Sequence, residues 1–363
     1  MPGFHKVLCK MRGMGMKMRA LIWTENFKLE KREVTEPVIT TPTDVKVKIC
    51  LTGICGTDLS VIAGKEKGST GIIRGHEAVG TVTETGSAVE KVAVGDRVVI
   101  DPNQYCGKCY YCRRGETNLC CGTDKTGMKI AGLNINGTFA EYYVSDEKFI
   151  YRIPDNMDWE TALMVEPLAC VLHNFMEAGV RPDDSVLVIG SGPMGILCQL
   201  VSNKLCRLTV AVEREQFRLD FAKGVANFAF KPEEIGISKI LEINSGRKFN
   251  IVIDAVGNQL ELAEEYTERG GKIILLGLNP TYNLSFSPAK HSGNAIKIFG
   301  CGEYNCLFET AVSLASALPA LKTLVTKKYS FDEYKTAINE LLGYDLDTKN
   351  AIKGFSVKTA LYP

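Results

Sequence analysis

Two rhythms of apolar residues divide the chain. Between about Met18 and Val171, short runs are punctuated by glycine: residues 29–34, 45–51, 80–84, 94–100 and 138–144. Half-buried runs of this length between glycine turns predict the strands of an antiparallel, barrel-like β domain. From about Leu172 to Cys301 the rhythm changes. Apolar runs at residues 186–189, 208–212, 249–254, 272–277 and 296–300 alternate with helical stretches. A run without a polar face reads as a strand buried on both sides, and its alternation with helices predicts a parallel, doubly wound sheet. From residue 302 onward, two helical stretches and a final strand at 352–358 are expected to rejoin the first domain. The expected class is therefore α/β, with a β-rich domain at 18–171, a doubly wound domain at 172–301 and a returning segment at 302–363.

The second domain opens on a turn with chemical meaning. Gly190-Ser191-Gly192-Pro193-Met194-Gly195 follows the first buried run at once and fits G-x-G-x-x-G. Gly190 allows the tight turn, Gly192 lets backbone approach a pyrophosphate, and Gly195 lets the next helix pack closely on the sheet. The helix N-terminus offers free N–H groups to phosphates. The second run ends in Glu213, whose carboxylate can accept hydrogen bonds from an adenosine ribose. Strand, turn, helix, strand and terminal acid arrive in order, so a dinucleotide site is expected here.

The first domain carries two sets of metal-binding residue types. Cys106, Cys109, Cys112 and Cys120 have the spacing with which four thiolates close a tetrahedron around Zn²⁺, leaving no position for water. Such a site is structural. Cys121 directly follows and competes as fourth ligand. Separately, Cys55-Gly56-Thr57-Asp58 precedes Gly75-His76-Glu77 by about twenty residues. Cys55 and His76 together offer the thiolate and imidazole that a catalytic zinc prefers, with either Glu77 or Glu166 as third protein ligand and one position open.

Taken together these stretches resemble the zinc-dependent medium-chain dehydrogenases, which include sorbitol, threonine and glucose dehydrogenases. The resemblance rests on Cys55 to Asp58, Gly75 to Glu77, Val94 to Val98, the four lobe cysteines, Gly137 to Tyr142, Glu166-Pro167-Leu168 and the glycine turn. It implies a GroES-like catalytic domain with a Rossmann domain and an active site between them. It further implies catalytic zinc on Cys55 and His76 with Glu77 or Glu166, and structural zinc on the lobe with Cys120 as fourth ligand. Thr57 matches the hydroxyl that relays the substrate proton, Asp58 a supporting carboxylate, and Arg218 a position on the adenine side. Glu213 matches the acid that favours NAD, while the neighbouring Arg214 leaves NADP open.

The implied reaction is hydride transfer from a secondary alcohol of a polyol, cyclitol, sugar or sugar phosphate. A threonine-type 3-hydroxy amino acid dehydrogenase shares most of these motifs. A zinc-free quinone or enone reductase would lack Cys55, His76 and the lobe, and a nucleotide-binding sensor would not need Cys55 or Thr57. Family members are homodimers or homotetramers through the edge strand of the Rossmann sheet, for which residues 296–301 are a candidate.

Composition narrows the classes further. Lys and Arg number 43 against 42 Asp and Glu, which gives no reason to expect nucleic acid as a partner. No apolar run approaches the ~18 residues of a membrane span. Thirteen cysteines, clustered as they are, suggest metal and a reducing, cytoplasmic setting. The cysteines outside the two sets (Cys9, Cys50, Cys121, Cys170, Cys198, Cys206, Cys301 and Cys306) read as small, mostly buried apolar residues. Residues 1–17 are basic and lack acids, and read as a disordered extension.

Overall fold

The computed structural model describes residues 16–285 and 287–363, and the basic stretch up to residue 15 lies outside them. Two compact units result: residues up to Glu166 with Val312–Pro363, and Pro167–Ala311. The junctions fall a few residues before and about ten after those expected from the sequence rhythm. Among the described residues, no helix is long and apolar enough to cross a membrane.

The first unit is built on a seven-stranded sheet. Its central strand, Asp44–Gly53, pairs antiparallel with Glu77–Thr85, Tyr142–Asp146 and Lys358–Tyr362. Arg97–Ile100 and Ile150–Arg152 extend one side and Val325–Ser330 the other. A smaller sheet joins Leu29–Thr35, Lys17–Trp23 and Ile72–Ile73. Each has its own apolar core: Val45, Val47, Ile49, Val82, Val98 and Ile100 cluster on the first sheet, and Leu21 and Trp23 of the second cluster with Phe139, Phe331 and Ile338. Each such side chain contributes roughly 1.5–3 kcal/mol of burial.

Three sequence expectations need correction in this unit. The final strand is Lys358–Tyr362, not 352–358. Lys358, Thr359, Ala360 and Leu361 are all buried, so the strand shows no alternation to read. The preceding Phe355 is exposed, and Gly354 is instead pressed against Glu340. The stretch 138–144 divides: its first half lies along Lys17–Trp23, with Leu21 N–H donating to the Phe139 carbonyl at 2.8 Å, and only Tyr142–Asp146 joins the large sheet. Lys17 already belongs to a strand, so the fold begins before Met18.

The second unit holds six parallel strands in the order Phe228–Phe230, Leu208–Val212, Ser185–Ile189, Phe249–Asp254, Thr267–Leu275, Lys297–Phe299. Numbered along the chain this is 3-2-1-4-5-6, the dinucleotide-binding order, with its topological switch beside Ser185–Ile189. Every residue of Ser185–Ile189 and Leu208–Val212 is buried, as expected for strands covered by helices on both faces. The short strand Phe228–Phe230 had no clear signal in the sequence. Of the remaining cysteines, Cys198 is buried, Cys306 is exposed, and Cys50, Cys121, Cys170, Cys206 and Cys301 are half-buried; these thiols are more accessible than their apolar reading implies. Cys9 lies outside the described residues.

Candidate active site

Gly56–Ile62 is a short helix capped by Cys55, whose backbone N–H donates to the Asp58 carboxylate at 3.2 Å. This local cap fixes the Cys55 backbone just past the end of the strand Asp44–Gly53. Thr57 follows one residue into the helix, and its hydroxyl lies 3.9 Å from the Cys55 sulfur. Glu77 opens the neighbouring strand, where it pairs with Gly53, and His76 immediately precedes it. Gly75 takes φ +90° just before them, and a Cβ there would come within 2.2 Å of the Phe139 ring. Only glycine fits such a position. Ligand atoms of Cys55, His76 and Glu77 all lie within 4.8 Å of one another.

Glu77 is buried and held from behind. Lys358, from the C-terminal strand and equally buried, ion-pairs with its carboxylate. Gly53 makes room for this pair, because a Cβ at 53 would stand 2.0 Å from Glu77 Oε2. Neither Lys358 nor Arg74, another buried cation at this site, was anticipated from the sequence. A cation inside a strand or beside a glycine carries no motif of its own, and only the packing shows what it faces.

The electrostatics of the pocket call for a cation. Burial works against a charged His76, but the Cys55 thiolate, Asp58 and Glu166 outweigh it and push the imidazolium up to about 10. Lys358 is likewise held protonated against burial, by Glu77, Cys55 and Glu166. With Cys55 as thiolate and His76 neutral, the forms in which both bind a metal, four anionic groups (Cys55, Asp58, Glu77 and Glu166) face the two cations Arg74 and Lys358. His76 Nδ1 has no hydrogen-bond partner, and Glu77 Oε2 meets the Lys358 ammonium without a hydrogen bond. A divalent ion on Cys55, His76 and Glu77 balances the charge, and a thiolate, an imidazole and a carboxylate form a donor set zinc accepts. Glu166 is buried close enough to act on His76 electrostatically but stands outside the three-residue cluster.

The cysteine lobe brings its four sulfurs together without help from other segments. Cys106 and Cys112 Sγ atoms lie 4.0 Å apart, as do those of Cys109 and Cys120. Zn–S bonds of ≈ 2.3 Å in a tetrahedron put sulfurs about 3.8 Å apart, so the cage has the size for zinc. Backbone N–H groups of Lys108 and Cys109 donate to Cys106 Sγ, and those of Cys106 and Gly122 to Cys120 Sγ, at 3.3–3.4 Å. Donors aimed at sulfur favour the thiolate form. Without metal the thiols split: a backbone hydrogen bond chiefly lowers Cys109 to about 6, while burial chiefly raises Cys112 to about 12. Cys121 is not part of the four-sulfur group.

In the second unit, Gly190 takes φ +96°, and a Cβ on Gly195 would stand 1.9 Å from the Gly190 carbonyl oxygen. Gly192 has open space above it, the nearest atom to its would-be Cβ being Arg218 Nη1 at 3.9 Å. Pro193 and Met194 begin the helix Pro193–Leu205. The buried Glu213 carboxylate accepts the backbone N–H groups of Ser191 at 2.6 Å and Glu215 at 2.8 Å, tying the second strand to the glycine turn. The Arg214 side chain is exposed. The strand, glycine turn, helix and acid thus stand in the arrangement that dinucleotide-binding domains use.

Comparison with known proteins agrees with this arrangement. Residues 41–155 match the alcohol dehydrogenase GroES-like domain. D-xylulose reductase A of Aspergillus oryzae is 32% identical over 336 residues, covering 86% of this chain and 90% of that protein. The chain belongs to the zinc-dependent medium-chain dehydrogenases. A sorbitol dehydrogenase of Bacillus subtilis is 28% identical, covering 88% of this chain and 90% of its own. Among solved structures, a Sinorhizobium meliloti protein described as a zinc-binding dehydrogenase, bound to NADP, superposes with TM-score 0.84 at 25% identity. That match covers 96% of this chain and all of the other. This medium-chain dehydrogenase is thus an oxidoreductase of the alcohol and polyol dehydrogenase class.

Proposed function

We propose that this dehydrogenase oxidises a secondary alcohol of a polyhydroxylated substrate (a polyol, cyclitol, sugar or sugar phosphate) and passes the hydride to NAD. The observation that carries the reading is the convergence of Cys55, His76 and Glu77 in a pocket with surplus negative charge. These three residues would hold a catalytic zinc, with Glu166 near enough to exchange with Glu77. Cys106, Cys109, Cys112 and Cys120 would hold a structural one. When bound, zinc lowers the pKa of a substrate hydroxyl and the nicotinamide ring accepts the hydride.

The chain's own residues do the rest. Thr57, beside Cys55, takes the hydroxyl proton and passes it toward solvent. Lys358 neutralises Glu77 from behind, so that the pocket carries no more negative charge than a divalent ion matches. Backbone N–H groups at the Gly190–Gly195 turn bind the pyrophosphate, with Arg218 beside Gly192. Glu213 meets the adenosine ribose. A buried carboxylate there repels a 2′-phosphate, which favours NAD. NADP is the second reading, supported by the exposed Arg214 next to Glu213 and by the NADP found in the Sinorhizobium meliloti protein.

The D-xylulose and sorbitol activities in the relatives' names support a polyol over a hydroxy amino acid. Lys297–Phe299 ends the six-stranded sheet, and its outer edge supports a homodimer or homotetramer, which light scattering of the purified protein checks. The function is tested by following reduced nicotinamide with NAD and NADP across polyols, cyclitols, aldoses, sugar phosphates and threonine. Turnover of a polyhydroxylated compound with NAD at higher kcat/KM than with NADP is expected. Turnover of threonine alone, or none from zinc-loaded folded protein, would overturn the reading.

A further inference from the structure

Arg74 is among the largest side chains with no exposed surface at all. It stands between the strand Ile72–Ile73 and Gly75-His76-Glu77, and its backbone is fixed on both sides. Its N–H donates to the Leu21 carbonyl at 3.1 Å, and its carbonyl accepts from Phe139 N–H at 2.8 Å. Gly75 beside it is wedged against the Phe139 ring. A guanidinium keeps its proton under all ordinary conditions, so this is a permanent buried charge. Such a charge is costly unless an anion lies against it.

Among the described residues, the ion-pair partner of Arg74 is Asp58, also wholly buried, with Nη2 3.0 Å from Oδ1. The contact lacks the alignment of a hydrogen bond, and Nε, Nη1 and Nη2 have no protein acceptor. An apolar side chain would fill the same space without that cost. Asp58 supplies the reason for the cation. Its Oδ2 accepts the Cys55 backbone N–H at 3.2 Å and lies 3.8 Å from His76 Nδ1. One carboxylate thus touches the backbone of one candidate ligand and the ring of another. Groups so placed set the orientation of metal ligands.

We propose that Arg74 is a positioning residue of the catalytic metal centre, acting through Asp58. It holds that carboxylate in place, and Asp58 in turn sets the Cys55 loop and the His76 ring for the metal. The proposal rests on the reading of Cys55, His76 and Glu77 as zinc ligands.

The test measures zinc content and the rate of zinc release to a chromogenic chelator from the full-length, zinc-loaded protein. In Arg74→Leu, one zinc is expected to leave faster by about 10–100-fold, with the lobe zinc unaffected. Arg74→Lys, which keeps the charge but not the planar fork, is expected between wild type and Arg74→Leu. Asp58→Asn should release that zinc as fast as Arg74→Leu. The double variant Arg74→Leu/Asp58→Asn should be no faster than Asp58→Asn alone, since coupled residues are not additive. The double variant removes both buried charges, and with Arg74→Lys it keeps the test decisive if Arg74→Leu does not fold. Wild-type release in Arg74→Lys and Arg74→Leu, or additive effects in the double variant, overturns the role of Arg74 while the metal centre stands. If Cys55→Ser costs no zinc relative to wild type, the metal-centre reading fails, and the role of Arg74 with it.

Discussion

The two cysteine-bearing clusters of the first unit are built on opposite plans. The lobe gathers four thiols from a single loop of fifteen residues, Cys106 to Cys120, with its sulfurs braced by neighbouring backbone N–H groups. The Cys55 centre gathers one thiol, one imidazole and one carboxylate from separate segments, and backs them with Asp58, Arg74 and Lys358. A closed, all-sulfur cage made locally is suited to clamping a loop. A mixed set of three donors, embedded in buried charge, would suit a metal that does chemistry. The lesson is that the supporting charges, more than the ligands, separate the two kinds of site.

The strongest way to break this contrast is to remove one ligand from each. Cys55→Ala is expected to lower kcat by at least about 10³-fold, since the metal's charge stabilisation is worth several kcal/mol and each 1.36 kcal/mol is tenfold. Its melting temperature should stay near wild type. Cys109→Ser should do the reverse, lowering the melting temperature by about 5 °C or more through loss of a structural site, with a smaller loss of kcat. Steady-state kinetics and thermal unfolding on the same preparations check both. Equal effects from the two substitutions would erase the distinction.

Much of this contrast was legible in the sequence, and unevenly so. The lobe could be read because its ligands are neighbours in the chain and their spacing is the geometry. The glycine turn could be read for the same reason, and the residues whose missing Cβ matters, Gly190 and Gly195, are those the motif marks. Cys55 and His76 emerged only as a pairing of distant fragments, which left the choice between Glu77 and Glu166 open. Arg74 and Lys358 could not be read, because a buried cation announces itself only through the anion that folding brings to it. The final strand was misplaced for a related reason: with both faces buried, Lys358–Tyr362 has no alternation, and its partners lie far away in the sequence.

Two Lys–Glu pairs sharpen the contrast at smaller scale. Lys358–Glu77 is almost wholly buried, whereas Lys327–Glu340 keeps about a quarter of its side-chain surface exposed (31% and 23%). Lys358→Met leaves Glu77 buried and unpaired, so a loss of about 3–5 kcal/mol is expected in denaturant unfolding of the zinc-free protein. Adding Glu77→Gln should restore much of it. For the outer pair, Glu340→Gln is expected to cost only about 0.5–1 kcal/mol.

The outer pair also fixes a pH dependence. The Lys327 ammonium, with a hydrogen bond from Tyr329, holds the Glu340 carboxyl below its usual 4.5 despite partial burial. A carboxyl whose pKa is depressed on folding stabilises above its unfolded pKa and loses that contribution as pH falls through the folded one. The difference between wild type and Glu340→Gln should therefore be full above about pH 4.5 and vanish at lower pH. An unchanged difference at low pH would show that packing, not charge, holds the pair.

The central claim, that one cluster does chemistry and the other holds the fold, is tested most directly by removing metal from the wild-type enzyme stepwise with a chelator. Zinc content, nicotinamide reduction and melting temperature are followed together in each sample. The account predicts that turnover disappears with the first zinc lost while the melting temperature holds, and that the melting temperature falls only with the second. Turnover that survives loss of the first zinc, or a melting temperature that falls in step with activity, would contradict it.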